Sequence, residues 1–252
     1  MLWYKAWLET RWRFAIGLAL LMLSACAIVV SYPAAMRALA RLPVLDGALG
    51  RQVAEKAALA REYRGYIWSQ WFSETLRQLV ALFAVVLGTG GLLAQASGGG
   101  ALYTLSLPVS RGRVLGVRAA TALAELLILV LVPALMIPLL SPMVGQSYRL
   151  TDAIVHATCM FVASSVLFSL TFLLSTVFAD VWRPPLIALC TAVALRVIEV
   201  GLGAQRFSLL SVMTAEPYFR GNGVPWVGLL VSAAVSAALT YAATRNIARH
   251  DF

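Results

Sequence analysis

Residues 153–178, AIVHATCMFVASSVLFSLTFLLSTVF, run for 26 positions without one Asp, Glu, Lys or Arg. About 20 apolar residues in a helix cross the hydrocarbon core of a bilayer, and this stretch exceeds that length. Lipid offers no partner to an unpaired backbone group, so such a run must be helical. Five further stretches read the same way, at 14–32, 76–95, 117–140, 184–203 and 224–244. Of the 252 residues, 61% are hydrophobic and 12% charged, against roughly 25% charged in an ordinary soluble domain. The mean hydropathy is +0.83. So few charges cannot cover a water-soluble surface, which excludes a soluble globular fold. The expected fold is an all-α polytopic membrane protein, a single transmembrane domain of six helices.

An even number of spans puts both termini on one side, and the short flanks indicate which. With cytoplasmic termini, the inner segments hold Lys5, Arg11, Arg13, Arg111, Arg113, Arg118, Arg183, Arg245 and Arg249, whereas the short outer loops hold only Arg149, Arg206 and Arg220. The long stretch between spans one and two carries further arginines, but long loops weigh less in this rule. The net charge of +9 therefore serves orientation and does not call for nucleic acid. The three cysteines, Cys26, Cys159 and Cys190, all sit in apolar runs and form no disulfide framework.

Three segments outside the spans have character of their own. Residues 1–13 place Trp3 and Trp7 on one face and Lys5, Glu9 and Arg13 on another, which predicts an interfacial helix leading into span one. Residues 33–72 form an extracytoplasmic segment whose middle, 47–64, has helical amphipathic spacing at Leu49, Val53, Ala57 and Ala60. Tyr63, Tyr66, Trp68, Trp71 and Phe72 then read as an interfacial aromatic belt. Residues 97–116, SGGGALYTLSLPVSRGRVLG, form a compact loop on the cytoplasmic side. Glycines break the membrane helix, a short apolar piece follows, Pro108 stops it, and Ser110 can cap the next helix. An apolar turn on the wet side of a membrane needs a partner.

Chemistry-bearing constellations are sparse. His156 and Cys159 share a helix face, but two ligands without a carboxylate make no metal site. Ser164, Ser165, Ser169 and His156 share span four, yet no serine motif accompanies them, which leaves an intramembrane enzyme as a poor alternative. No phosphate-binding loop is present, since Lys5 and Lys56 follow Tyr4 and Glu55, so the chain would bind no nucleotide of its own. A secondary transporter should show an inverted repeat, and none is evident. Intramembrane charges mark function by default; these are Glu125 in span three and the Arg196 and Glu199 pair, one turn apart in span five. Gly88, Gly90 and Gly91 would permit close helix approach.

The loop resembles that of the ABC-2 type transporter permeases, in which a glycine and a short leucine-rich helix precede Leu-Pro-Val-Ser-Arg. The matching residues are Gly99, Leu105, Ser106, Leu107, Pro108, Val109, Ser110, Arg111, Gly116 and Arg118, and the tail Arg249-His250-Asp251-Phe252 is also similar. Relatives often carry acidic residues before the glycine, where this chain has Ser97 and Gly98. The resemblance implies the membrane half of an ATP-driven exporter in a bacterial-type inner membrane. Such a subunit pairs with a second permease subunit and a separately encoded ATPase, on which ATP and Mg would be bound. Gly99, Ala101, Leu102, Tyr103, Leu105, Leu107, Pro108 and Arg111 would form the coupling helix and its flanks. Gln78, Thr89, Arg196 and Glu199 would be candidates for the translocation path or gate. Few charges along apolar helices favour a lipophilic or amphipathic cargo.

Overall fold

A computed structural model describes residues 2–41, 57–89, 111–178, 180–202 and 208–249. Among them there is no strand, and the chain builds a bundle of long helices. These are α1 (Leu2–Leu39), α2 (Tyr63–Gly88), α3 (Arg111–Leu140), α4 (Leu150–Val177), α5 (Arg183–Leu202), two short helices α6 (Leu209–Met213) and α7 (Glu216–Phe219), and α8 (Trp226–Arg249). Five of them, α1, α2, α3, α4 and α8, are long and apolar enough to cross a membrane. The stretch expected as the remaining span, 184–203, forms α5, whose side chains are described through Ile198 and at Gly201.

Cross-helix bonds fix the directions. Arg13 near the start of α1 reaches Thr89 at the end of α2, and Ser31 and Tyr66 meet at the other end, so these two helices are antiparallel. Glu9 pairs with Arg118, which makes α3 parallel to α1. On α4, Ser165, Ser169 and Thr176 meet Ser236, Thr240 and Asn246 of α8 in rising order. Helices α4 and α8 are therefore parallel, and the chain must return between them. Helix α5 joins the end of α4 to the α6–α7 segment, and Tyr218 of that segment binds Asp152 at the start of α4. The start of α1 and the end of α8 thus share one end of the bundle, the terminal end; the α6–α7 segment lies at the opposite, distal end.

Helix α4 is the hub, more than half buried over its apolar window, and packs against α2, α3, α5, α6 and α8. Its approach to α2 is close: a Cβ on Gly88 would stand 2.7 Å from the Phe168 carbonyl oxygen and 2.8 Å from Thr171 Cβ. Gly88 therefore performs the packing role expected of it, while Gly90 and Gly91 lie outside the described residues.

Two expectations are corrected. Residues 2–13 are the first turns of an unbroken 38-residue helix, not a separate segment, because neither glycine nor proline interrupts Leu2–Ile16. The five aromatics at the start of α2 do not form an interfacial belt. Tyr63, Tyr66, Trp71 and Phe72 are buried, and Trp68 stacks on Phe219 at 4.3 Å between ring centroids. Tyr63 and Tyr66 sit on the α-helical turn Tyr63–Tyr66 and the other three on Ile67–Leu76, ten residues wound as a π-helix; the group packs against Tyr32, Tyr148 and His156. Of the amphipathic stretch 47–64, only residues 57–64 fall among those described, with 57–61 helical. The exposed tryptophans are instead Trp3, Trp7, Trp12 and Trp182 at the terminal end and Trp226 at the distal end. From Trp226 to Arg245 is about 28 Å at 1.5 Å per residue, close to the roughly 30 Å of a hydrocarbon core.

Candidate functional site

Polar chemistry collects at three places. At the distal end, Asp152 stands in the first turn of α4, where the helix dipole favours a carboxylate. Its side chain is 6% exposed, accepts the Tyr218 hydroxyl at 2.8 Å, and pairs with Arg64 Nε at 3.0 Å. The Asp152 carbonyl accepts His156 Nδ1 at 2.7 Å. A carbonyl can only accept, so Nδ1 carries the proton and Nε2 is left as a buried acceptor without a partner among the described residues. The Arg64 guanidinium lies 5.5 Å over the Phe219 ring, and Trp68 Nε1 donates to the Thr214 carbonyl at 3.0 Å. Asp152 thus clasps the start of α2, the start of α4 and the α6–α7 segment together. The bond to Asp152 holds the Tyr218 phenol above its ordinary pKa. Burial, reinforced by the Asp152 charge, does the same to Tyr148, whose hydroxyl also lacks a partner among the described residues.

Beside this clasp, α2, α5 and the α6–α7 segment line a partly open polar cavity of about 430 Å³. Gln70, Ser73, Glu74 and Arg77 enter it from α2, Arg196 from α5, and Thr214 and Glu216 from the α6–α7 segment. The π-helical turn widens α2 here, and Thr75 returns its hydroxyl to the carbonyl of Gln70 five residues back at 2.9 Å. Such turns concentrate at functional sites. Glu216 is already engaged by Arg220 at 2.6 Å.

At the terminal end, Arg13 Nη1 donates to Thr89 Oγ1 at 3.1 Å and to the Val86 carbonyl at 3.3 Å. Glu9 meets Arg118 at 3.5 Å, and Thr10 donates to the buried Glu125 at 2.5 Å. Glu125, without a partner in its own sequence neighbourhood, is therefore held from α1. These bonds tie α1 to the end of α2 and the start of α3.

The sequence-derived site residues fall unevenly on this frame. Gly99, Ala101, Leu102, Tyr103, Leu105, Leu107 and Pro108 lie outside the described residues, and Arg111 opens α3 with its side chain not described. Arg196 lines the cavity, and Thr89 caps α2 under Arg13. Gln78 is exposed on α2 and does not line the cavity; Glu199 lies on α5 with its side chain not described. His156 and Cys159 are both buried in the packing of α4, and no group of three metal-ligating side chains occurs among the described residues.

The Arg64–Asp152–Tyr218 clasp has no sequence signature, since its members stand far apart in the chain. An aspartate opening a long apolar helix was the one available signal. No protein-family model, curated protein or solved structure matches the chain.

Proposed function

We propose that this chain is the transmembrane subunit of an ATP-driven transporter of the ABC-2 permease type. It would export a lipophilic or amphipathic cargo, with nucleotide hydrolysis supplied by a separately encoded ATPase. The observation that carries the reading is the polar cavity lined by α2, α5 and the α6–α7 segment, to which Arg196 contributes a charge from within the apolar part of α5. A charge within an apolar helix is costly unless it faces protein or water, and defaults to a functional role. Residues Gln78, Thr89, Arg196 and Glu199 remain the proposed path or gate.

The parallel course of α4 and α8 supports six crossings, with α5 as the fifth and both termini cytoplasmic. The exposed faces of α5, which carry Leu186, Val193, Val197 and Ile198, suit a second permease subunit, identical or not. The segment 97–110, ahead of α3, would be the coupling element. The bonds from Arg13, Glu9 and Thr10 would carry its displacement into α1 and the bundle as a rigid-body movement.

Co-purification with a separately encoded ATPase tests this directly. Leu102→Asp and Leu105→Asp should each abolish the complex and the ATP hydrolysis that depends on it. A complex retained by both variants would refute the coupling assignment. Arg196→Ala in an intact complex should uncouple hydrolysis from cargo movement.

A further inference from the structure

Between α3, α4 and α8 lies a second cleft, about 500 Å³ in volume, open to the outside of the bundle. Leu123, Phe161 and Val162 form its walls, and Ala233 and Ala237 leave its floor low. Several hydroxyls border it, yet each is spent on the protein. Ser165 donates to the Val162 carbonyl, Ser236 to Ser165, Thr240 to Ser236, and Thr244 to Tyr241, at 2.7 to 3.1 Å. The lining is therefore effectively apolar.

The cleft begins mid-helix at Ala233 and ends at Thr244, about 17 Å along the α8 axis. That is half of a roughly 30 Å hydrocarbon core, and so the depth of one leaflet. At its outer mouth stands Arg245, exposed. Its Nε donates to the hydroxyl of Tyr241 at 2.7 Å, and its guanidinium lies 5.3 Å over that ring. Tyr241 lines the cleft, so it holds the cation on the rim. Among the described residues, no carboxylate pairs with Arg245, and the remaining N–H groups of its fork are suited to phosphate oxygens. A helix segment of that length, about 10 Å across, displaces roughly 1,300 Å³. The cleft is too small for a partner's helix and matches a single alkyl chain.

We infer that this cleft is a binding site for an anionic glycerophospholipid of the leaflet at the terminal end, one acyl chain lying along α8 and the phosphate seated on Arg245. The site is separate from the proposed translocation path and does not depend on it.

Native mass spectrometry of the full chain in micelles tests the assignment with phosphatidylglycerol and phosphatidylcholine of identical acyl chains. A single arginine near a headgroup favours the anionic lipid by about fivefold. Phosphatidylglycerol should be retained at that advantage, Arg245→Gln should erase the preference, and Ala237→Phe should fill the cleft and reduce occupancy by both lipids. Ala237 and Arg245 are exposed, so both variants keep the bundle intact. Excess inorganic phosphate should not displace the lipid, because the acyl chain supplies the remaining contact. Equal binding of the two lipids by the parent chain, or a preference that survives Arg245→Gln, overturns the proposal. Competition by free phosphate reduces it to an anion site, and unchanged occupancy in Ala237→Phe removes the cleft from it.

Discussion

Asp152 holds three groups: Arg64 and the Tyr218 hydroxyl on its carboxylate and, through its carbonyl, His156. Asp152→Ala removes the acceptor for both side chains and should cost about 1–3 kcal/mol, read as a lowered thermal midpoint in micelles. Arg64→Ala should cost less, because the arginine side chain is 41% exposed and such pairs are screened by water. An equal or reversed order would show that the clasp is not centred on the carboxylate. The two phenols beside it give a pH signature. Both hold their protons more tightly in the fold than the ordinary tyrosine value of 10.0. Above about pH 10 the unfolded chain loses protons that the native chain retains. Their contribution to stability is therefore complete below about pH 10 and is lost as pH rises through the folded values. Phenolate absorbance should show a late-titrating fraction of the eight tyrosines, diminished in Tyr148→Phe; a single ordinary titration would contradict this.

At the level of elements, the apolar runs were legible because length and absence of charge are sufficient evidence for a helix in lipid, and α1, α3, α4 and α8 cover the stretches expected of them. The start of α2 was not legible. Five aromatics at the end of a span read equally well as an interfacial belt or as core, and only the π-helical winding and the neighbouring Tyr32, Tyr148 and His156 decide for core. The glycines divide in the same manner. Gly88 meets the backbone of α4, whereas Gly116 in α3 has nothing within 4 Å of where a Cβ would stand. Gly88→Ala should therefore destabilise by about 1–3 kcal/mol through overpacking. Gly116→Ala should be neutral or stabilising by up to about 1 kcal/mol, since only helix propensity changes there. Thermal unfolding of the two variants side by side checks the pair, and similar losses would mean that α2 and α4 are not in close contact.

For the whole molecule, the remaining question is parity, and it turns on α5. Six apolar runs are readable in the sequence, but their count alone cannot tell a crossing helix from one lying outside the bundle, because α5 is exposed along much of its length. The bonds between α4 and α8 support the proposal that it crosses. Two parallel helices in succession require the chain to travel back from the terminal end to the distal end, and α5 is the segment available to do so. Asp180 and Asn222, both exposed, flank that return on either side. With the native cysteines replaced, Asp180→Cys and Asn222→Cys should react with a membrane-impermeant maleimide from opposite faces of sealed vesicles. Asp180→Cys should share the face of a reporter fused to either terminus. In a variant that keeps Cys190 as its single cysteine, that residue, exposed in the middle of α5, should resist the same reagent from both faces, because in a crossing helix it looks into lipid. Labelling of positions 180 and 222 from one common face would leave α5 on the surface and the number of crossings odd. The shared side of the termini and the transporter architecture built on it would then both fall.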